Sequence, residues 1–503
     1  MEFIKTDERH TQYLRDESRM EGRAEWIVFP KNARELAAAL KTAAEQGLRV
    51  TLQGSLTGIA GGAVPRGGLI VNLSQMRQVL RLRYDGEALL VTLEAGVTLS
   101  QLDLFLRSPP PEAWDDDVSA EQKKTLLRQP FFFAPGPTEK EASFGGLFAC
   151  NAGGLHSLAF GRTGAQTEAL CWLTPGGGMF RLHRGDAVFD RAGCNLPDGK
   201  RIRCKTILKN SPVQRMIPHE GMDLIDFLAG SEGLLGAAAE LTVRMLPEPP
   251  FCWGVLYFFC EKETEAAFLQ RLFEWHQEHA DGMTASEYYD GSVLRLIEEN
   301  KATFSAVKGL PAFPDNAGSA LYVELAGEDE EALNERLFAH LELFLSSGGA
   351  EEHTWAACGA QEMEKFRVLR HSVPELVNVE IDKKRQHFSA LTKTAGDFSA
   401  PPALFSKYLN LYKQGIAKTE LPAYLFGHVF ENHFHINFVP ENSGQMAACK
   451  DLLTEWAAQT VYDGGCIAAE NGVGELKKDW TDGFLSQEQK EHIQAVITAF
   501  KEL

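Results

Sequence analysis

The sequence predicts an α+β protein made of two large domains, each with its own mixture of strands and helices. The chain has 503 residues, which is more than a single hydrophobic core usually serves. Its first half is rich in glycine and short β-branched runs, whereas strand-like apolar runs alternate with long helical patterns from about residue 251. The proline-rich stretch at 247–250 is typical of a linker between domains. We therefore predict domains at residues 1–250 and 251–480, followed by a C-terminal helix at 481–503.

Composition and charge exclude several classes of protein. Hydrophobic residues make up 44% of the chain and charged residues 24%, so it is not a disordered, collagen-like or coiled-coil protein. The net charge of −19 and the lack of a basic patch argue against a nucleic-acid partner. The N-terminus has no signal-peptide pattern, and no uncharged apolar run reaches about 18 residues. We expect no transmembrane segment and a location in the cytoplasm or at the periphery of a membrane.

The cysteines show no pattern of disulfide or metal binding. There are nine, an odd number, and no two have the C-x-x-C spacing. Scattered cysteines in a large chain are typical of reduced thiols in the cytosol. Their spacing also argues against an iron–sulfur cluster held by thiolates.

The first domain opens with a β-α-β pattern. The residues at 26–30 and 48–52 are strand-like, and the amphipathic segment 32–47 between them predicts a helix. This order implies a parallel or mixed sheet with a helix on one face. We interpret two polar stretches, at 108–131 and at about 183–220, as surface insertions without regular structure.

The second domain alternates strands with helices but has no glycine-rich nucleotide fingerprint. Strands are predicted at 252–260 and 319–327, and a helix at 263–280. Residues 423–440 read as two strands with a short connection. The pattern favours an α+β domain, and the chain contains no internal repeat.

Three glycine-rich segments follow or precede strands of the first domain. They lie at 53–68, 143–164 and 230–250, and none is a P-loop or a G-x-G-x-x-G motif. Glycine lets backbone N–H groups approach a phosphate closely. Each segment alone could equally be a structural loop, but three together suit an extended ligand that contains a diphosphate.

The order of these motifs resembles that of FAD-linked oxidoreductases of the p-cresol methylhydroxylase type. The similar motifs read QGSLTGIAGGAVP at 53–65, SFGGLFACNAGG at 143–154 and GSEGLLG at 230–236, within a resemblance that covers about residues 13–480. The branch includes D-lactate dehydrogenase, glycolate oxidase and D-2-hydroxyglutarate dehydrogenase. The resemblance implies a PCMH-type FAD-binding domain of two α/β subdomains, followed by an α+β substrate (cap) domain with an antiparallel sheet. It also implies non-covalent FAD, because no histidine stands where the superfamily attaches flavin beside the first loop.

The resemblance assigns the FAD pyrophosphate to the 54–58 loop and the flavin end to the second motif. Three positions depart from the family: Gln53 and Leu56 replace an arginine and a glycine, and Gly136 replaces an aspartate. The residues implied to bind FAD are Gly54, Ser55, Leu56, Thr57, Gly58, Gly61, Pro135, Pro137, Thr138, Ser143, Gly145, Gly146, Asn151, Gly153, Gly154, Glu232 and Gly236.

A histidine cluster lies in the second domain. In HFHINF the alternation places His433, His435 and Asn437 on one face of a strand. A turn at 430–432 would bring His428 back toward that face. Histidines on facing strands can bind a metal, and the alternative is a solvated strand face.

The family motifs G-H-x-G-D-G-N-L-H-x-N and G-E-H-G-x-G-x-x-K map metal ligands onto His428, His435 and Glu470. The resemblance thus implies a divalent ion, and zinc, manganese and iron remain open. Asn471 stands where the family has its candidate general base, and an amide is no useful base at neutral pH. We hypothesise that His433 takes over that role. The competing interpretation is that the substrate class or the reaction has changed.

Two further positions align with residues that grip a substrate carboxylate. They are Arg370 in FRVLRHSVPE and Lys393 in LTKTAGDFSAPP. A guanidinium fork suits a carboxylate geometrically. The alternative for either residue is a surface salt bridge.

These features predict an FAD-dependent enzyme that oxidises a small D-2-hydroxy acid, of the D-lactate, glycolate or 2-hydroxyglutarate class, to the 2-oxo acid. The proposed partners are the substrate, a separate electron acceptor (a protein, a quinone or oxygen) and a second copy of the chain in a homodimer. Two alternatives stay open at this point. One is an FAD oxidoreductase for another alcohol, amine or ether, and the other is a non-catalytic flavoprotein subunit of an electron-transfer complex.

Overall fold

The computed structural model describes residues 2–204, 217–279 and 282–503. It divides into two compact units. The first contains the chain up to Gly154, residues 161–248 and residues 470–503, and the second contains residues 155–160 and 249–469.

The first unit opens with a mixed four-stranded sheet. Its order is β1-β2-β4-β3, in which β4 pairs parallel with β2 and β3 while β1 is antiparallel to β2. The strands are β1 (Ile4–Lys5), β2 (Trp26–Val28), β3 (Val50–Gln53) and β4 (Leu69–Asn72). Helix α1 (Ala33–Glu45) begins where the Asn32 side chain accepts the Glu35 N–H, and it buries Leu36 and Leu40. The predicted β-α-β opening is confirmed.

A second sheet completes the strand framework of this unit. Its order is β5-β6-β12-β8-β9, with β7 also on β12, and a separate ribbon pairs β10 with β11. The strands are β5 (Val79–Tyr84), β6 (Leu89–Glu94), β7 (Phe131–Phe132), β8 (Thr167–Leu173), β9 (Met179–His183), β10 (Gly193–Asn195), β11 (Arg201–Arg203) and β12 (Ala237–Pro247). The other helices of the unit are α2 (Leu99–Leu106), α3 (Ala120–Leu126), α4 (Phe144–Cys150), α6 (Leu224–Leu228), α13 (Lys478–Phe484) and α14 (Gln487–Lys501).

The two predicted insertions contain more structure than their polar composition indicates. The prediction of an irregular surface insertion at 108–131 is wrong, because α3 forms there and Trp114, Val118 and Leu126 are buried in the core. In the second insertion, β10 and β11 form a paired ribbon, and its residues 205–216 lie outside the described part of the chain.

The second unit is a seven-stranded antiparallel sheet with helices, as the α+β prediction requires. Its order is β16-β13-β15-β14-β18-β19-β17. The strands are β13 (Phe251–Phe259), β14 (Met283–Asp290), β15 (Ser319–Gly327), β16 (Thr354–Cys358), β17 (Thr394–Ser399), β18 (Ala423–His428) and β19 (His433–Phe438). The helices are α5 (Ser157–Phe160), α7 (Lys262–Glu278), α8 (Gly291–Asn300), α9 (Glu330–Ser346), α10 (Ala360–Arg385), α11 (Phe405–Thr419) and α12 (Ser443–Tyr462).

Two global predictions can be compared with the structure. Among the described residues, no helix has both the length and the apolar character needed to cross a bilayer. All nine cysteines lie in the described ranges and none forms a disulfide.

Candidate active site

A row of polar side chains crosses four strands of the second unit. Glu287 of β14 lies directly opposite His428 of β18, which lies opposite His433 of β19, which lies opposite Ser399 of β17. Directly opposite residues of an antiparallel ladder point to the same face of the sheet. The sheet order therefore gathers groups from four separate chain segments on one face.

His435 and Asp397 form the neighbouring row. They are paired across β19 and β17, two residues along each strand from His433 and Ser399. Because side chains alternate with a period of two, this row lies on the same face. The alternation predicted for HFHINF is confirmed.

The connection between β18 and β19 has the tight geometry that the hairpin needs. Residues Val429–Glu431 form one 3-10 turn, and Asn432 then takes a left-handed conformation at φ 47°. Asparagine tolerates this region better than most residues. Asn432 stands where the third glycine of the motif G-H-x-G-D-G-N-L-H-x-N would fall, and its left-handed backbone preserves the turn.

The three imidazoles are close enough to share one ion. Each of His428, His433 and His435 offers a ring nitrogen within 4.8 Å of the others. The ring centroids are 4.7 Å apart for His433 and His435, and 5.5 Å apart for His428 and His433. Imidazole nitrogen is a good ligand for zinc, iron and related ions, so the donor set fits a transition metal.

A buried ion pair lies at one end of the first row. Glu287 is fully buried, and its carboxylate lies 3.0 Å from Nε of Arg370 and 2.9 Å from Nδ1 of His428. Burial raises the pKa of Glu287, but Arg370 and His428 outweigh that effect and hold it at about 2. Arg370 is only 5% exposed, so the alternative of a surface salt bridge is wrong for it.

Lys393 is also buried rather than exposed. It immediately precedes β17, and its Nζ donates to Oδ1 of Asn378 on α10 at 2.7 Å. Lys393 is 7% exposed, so the alternative of a surface salt bridge is wrong for this residue as well.

His433 forms a close pair with a carboxylate. Its Nε2 lies 2.7 Å from Oδ1 of Asp397, and both residues are buried. A carboxylate on one ring nitrogen orients an imidazole and stabilises its protonated form. This arrangement can support proton abstraction.

Sequence reasoning missed Asp397 and Glu287. Asp397 appeared only as part of the DFSAPP segment used to place Lys393. Glu287 lies within the run MTASEYY, where every other residue is uncharged, and an isolated carboxylate in such a run is the signal that could have found it.

Glu470 and Asn471 occupy the point where the chain leaves the second unit and re-enters the first. Both are half-buried. The preceding residue, Ala469, donates its N–H to the carbonyl of Asp397 at 3.1 Å. Glu470 therefore directly follows Ala469, which is hydrogen-bonded to β17 of the sheet that carries the three histidines.

In the first unit, the loop after β3 presents a run of backbone donors. Within the described chain, the N–H groups from Gly54 to Gly58 have no protein acceptor. Successive free amides in such a loop form a concavity suited to an anion. The loop therefore fits the diphosphate of a dinucleotide.

Two departures from the family motif have structural explanations. The Gln53 side chain donates to the carbonyls of Tyr13 and Ala63, both at 2.8 Å. These two hydrogen bonds hold the loop where the family has an arginine. Leu56 adopts φ 63°, the left-handed region that the family glycine would occupy without strain.

The second motif is a short helix and not the loop expected. Ser143 caps α4 by accepting the N–H of Gly146, and a Cβ on Gly54 would collide with the Ser143 hydroxyl. Asn151 ends the helix in a left-handed conformation, and its Oδ1 accepts the N–H of Gly164 at 2.8 Å. A Cβ on Gly145 would lie 2.8 Å from Ala95, so glycine there permits close packing.

Three more of the predicted cofactor residues make close contacts with the protein backbone. Gly154 packs against the backbone of Gly136 in the Pro135–Thr138 segment, where a side chain would collide. Gly236 adopts φ 129° against β8. The Glu232 carboxylate accepts two backbone N–H groups, from Val473 and Gly474.

The fold and these motifs define a flavin-dependent oxidoreductase. Residues 24–109 match the FAD binding domain family, and residues 260–500 match the family described as FAD linked oxidases, C-terminal domain. The chain belongs to the FAD-linked oxidases.

Its relatives are similar over most of their length. D-lactate dehydrogenase of Anaerostipes hadrus is 24% identical over 98% of this chain and 91% of its own. Glycolate oxidase subunit GlcD of Bacillus subtilis (strain 168) is 25% identical over 94% and 86%. The mitochondrial D-2-hydroxyglutarate dehydrogenase of Danio rerio is 23% identical over 92% and 73%.

The fold also resembles that of a solved structure whose name differs from those of the relatives above. An alkyldihydroxyacetonephosphate synthase structure superposes with a TM-score of 0.57 at 14% identity, covering 94% of this chain and 76% of its own. At this identity, the similarity concerns the fold alone.

Proposed function

We propose that this flavoprotein oxidises a small D-2-hydroxy acid to the 2-oxo acid. The observation that carries the proposal is the convergence, on one face of the second unit's sheet, of three imidazoles with a buried arginine at the edge of the cluster. A carboxylate and a neighbouring hydroxyl are the two groups that such a site recognises. The names of the relatives support the same substrate class.

FAD would be held without a covalent bond by the Gly54–Gly58 amides, and the second and third motifs would complete its site. When bound, FAD supplies the acceptor for the hydride that leaves the substrate Cα. The protein contributes position and electrostatics.

A divalent ion would be held by His428, His435 and Glu470. Glu287 contacts Nδ1 of His428, so Nε2 is the nitrogen that we assign to the ion. This matches the usual pattern in which a carboxylate orients a histidine ligand. The ion would orient and polarise the substrate hydroxyl, and zinc, manganese and iron all suit these ligands.

The remaining polar residues would bind the substrate and move its proton. The Arg370 guanidinium would hold the substrate carboxylate, and Lys393 would act as a second cation. His433 would take the hydroxyl proton, and Asp397 would stabilise the imidazolium that results. Asn471 would offer its amide as a hydrogen-bond partner, since it cannot act as the base. The electrons would then pass to a separate acceptor: a protein, a quinone or oxygen.

The test is anaerobic mixing of the FAD-loaded protein with a panel of D- and L-2-hydroxy acids, while the flavin absorbance is followed. We expect bleaching by a D-enantiomer. We also expect that His435→Ala and Glu470→Ala lower the bound metal and the bleaching rate together, whereas the exposed His183→Ala on β9 changes neither. Full bleaching rates in both site variants would exclude the metal assignment.

His433 can be tested separately because its ring also lies within reach of the ion site. We expect His433→Ala to retain metal and lose turnover, as a base would. Loss of metal in this variant would identify His433 as a ligand and exclude the base assignment.

One observation favours a second candidate, an FAD oxidoreductase for another alcohol, an amine or an ether. Asn471 and the Phe430–His433 segment both differ from the family pattern at the site. Bleaching by such a compound, with none by any 2-hydroxy acid, would select this candidate.

A further inference from the structure

The Glu232 carboxylate accepts hydrogen bonds from the protein backbone. Its Oε1 accepts the N–H of Val473 and its Oε2 accepts the N–H of Gly474, both at 2.8 Å. Two consecutive amides that bind one carboxylate form an anion nest. Hydrogen bonds to an ionised acceptor are stronger than those between neutral groups.

The local backbone is shaped for this contact. Glu232 itself has φ 51°, between Gly230 at 81° and Gly233 at 80°. A non-glycine residue in the left-handed region is strained, so the surrounding contacts must hold it there. Gly472 is the counterpart on the other side, because a Cβ there would lie 2.8 Å from the Glu232 carboxyl group.

Further contacts fix the same segment within the first unit. The N–H groups of Glu475 and Leu476 both donate to the carbonyl of Ala60, at 3.0 and 3.1 Å. The buried Lys477 donates its Nζ to the carbonyl of Gly472 at 3.0 Å. Residues 472–477 are therefore held by both the first and the third glycine motif.

Only three residues separate this anchored segment at Val473 from Ala469, whose N–H is bonded to Asp397. They are Glu470, Asn471 and Gly472. We propose that Glu232 is a positioning residue that fixes the backbone carrying Glu470 and Asn471, and that it is not a ligand of FAD. The proposal rests on the proposed function for the roles of Glu470 and Asn471, and it replaces the expectation that Glu232 binds the cofactor.

The test variant is Glu232→Gln in the full-length, FAD-loaded protein. An amide keeps the shape but loses the charge and turns an NH₂ group toward one of the two N–H donors. By hydrogen–deuterium exchange, we expect the amides of 470–476 to exchange roughly 10- to 100-fold faster. The Kd for FAD should stay within about twofold, as for a residue that does not touch the cofactor.

Glu87→Gln on the surface of the same unit is the control, since its side chain is 85% exposed. It should leave both measurements unchanged. Glu232→Asp keeps the charge but shortens the side chain. We expect the amides of 470–476 to exchange faster than in the wild type, but by less than in Glu232→Gln. This second variant keeps the proposal testable if the amide variant fails to fold.

The result that overturns the proposal is a large rise in the FAD Kd with unchanged exchange at 470–476. Neither the exchange rates nor the FAD Kd depends on the substrate. If the wild-type protein oxidised no 2-hydroxy acid, the proposed function would be refuted, but these two measurements would still decide the role of Glu232. With zinc or manganese as the probe, weaker metal binding in Glu232→Gln at unchanged FAD affinity supports the role of the segment in placing Glu470.

Discussion

The buried pair of Glu287 and Arg370 makes the sharpest stability prediction. The carboxyl pKa of about 2 means that Glu287 is ionised at neutral pH. Glu287→Gln therefore removes a charge without removing volume. It leaves the Arg370 guanidinium, which is 5% exposed, without its anionic partner at 3.0 Å.

The magnitude follows from the burial of both partners. Removing one member of a buried ion pair costs about 3–5 kcal/mol. For a domain of this size, each kcal/mol lowers Tm by roughly 2–4 °C, so we expect the melting transition of the second unit to fall by roughly 6–20 °C. Removing both charges in Glu287→Gln/Arg370→Gln should restore part of that loss, because no uncompensated charge stays buried.

The assay is thermal unfolding by calorimetry after treatment with a chelator, so that metal binding does not contribute. Glu364→Gln is the matched control, because Glu364 pairs with Arg367 on the surface of α10 at 3.7 Å, with side chains 62% and 58% exposed. An exposed pair contributes about 0–1 kcal/mol. A Tm loss in Glu287→Gln no larger than that of the control would show that the Glu287–Arg370 pair does not stabilise the second unit.

Three further predictions address the base, the flavin loop and acid stability. Asp397→Asn should lower the rate of flavin reduction by roughly 10²–10⁴-fold at unchanged FAD binding. The control Ser399→Ala, opposite His433 on the same face, should change this rate little. Equal rates for the two variants in stopped-flow mixing would exclude a catalytic role for the His433–Asp397 pair. Gln53→Ala removes two 2.8 Å bonds that fix the loop and should weaken FAD binding by roughly tenfold, as measured by flavin fluorescence. Burial raises the pKa of Glu324, but His156 and two hydroxyl groups hold it at about 2 against an ordinary value of 4.5. The stabilisation from this carboxylate is therefore complete above about pH 4.5 and lost toward pH 2, so Glu324→Gln should flatten the dependence of Tm on pH in that window.

Local patterns in the sequence were sufficient for the elements that carry the site. The alternation of HFHINF placed His433 and His435 on one face because side-chain direction in a strand depends only on the chain itself. The turn at Asn432 and the glycine segments were likewise readable, since left-handed backbone and close approach select asparagine and glycine.

The partners of these residues could not be read from the sequence because they depend on which strands are neighbours. Glu287 meets His428 only because β14 pairs with β18, and Asp397 meets His433 only because β17 pairs with β19. No local period encodes such pairings between distant segments. In the same way, a polar composition at 108–131 concealed Trp114, which is buried in the core.

We propose that this FAD-linked oxidase removes a hydride from a D-2-hydroxy acid at the imidazole site. The most direct measurement is anaerobic titration of the FAD-loaded protein with each enantiomer of lactate and 2-hydroxyglutarate and with glycolate, monitored by the visible flavin absorbance. We predict stoichiometric bleaching by at least one D-acid or by glycolate, slow or no bleaching by the L-enantiomers, and loss of bleaching in Arg370→Met. A flavin that stays oxidised with every one of these acids would exclude oxidation of a 2-hydroxy acid by this protein.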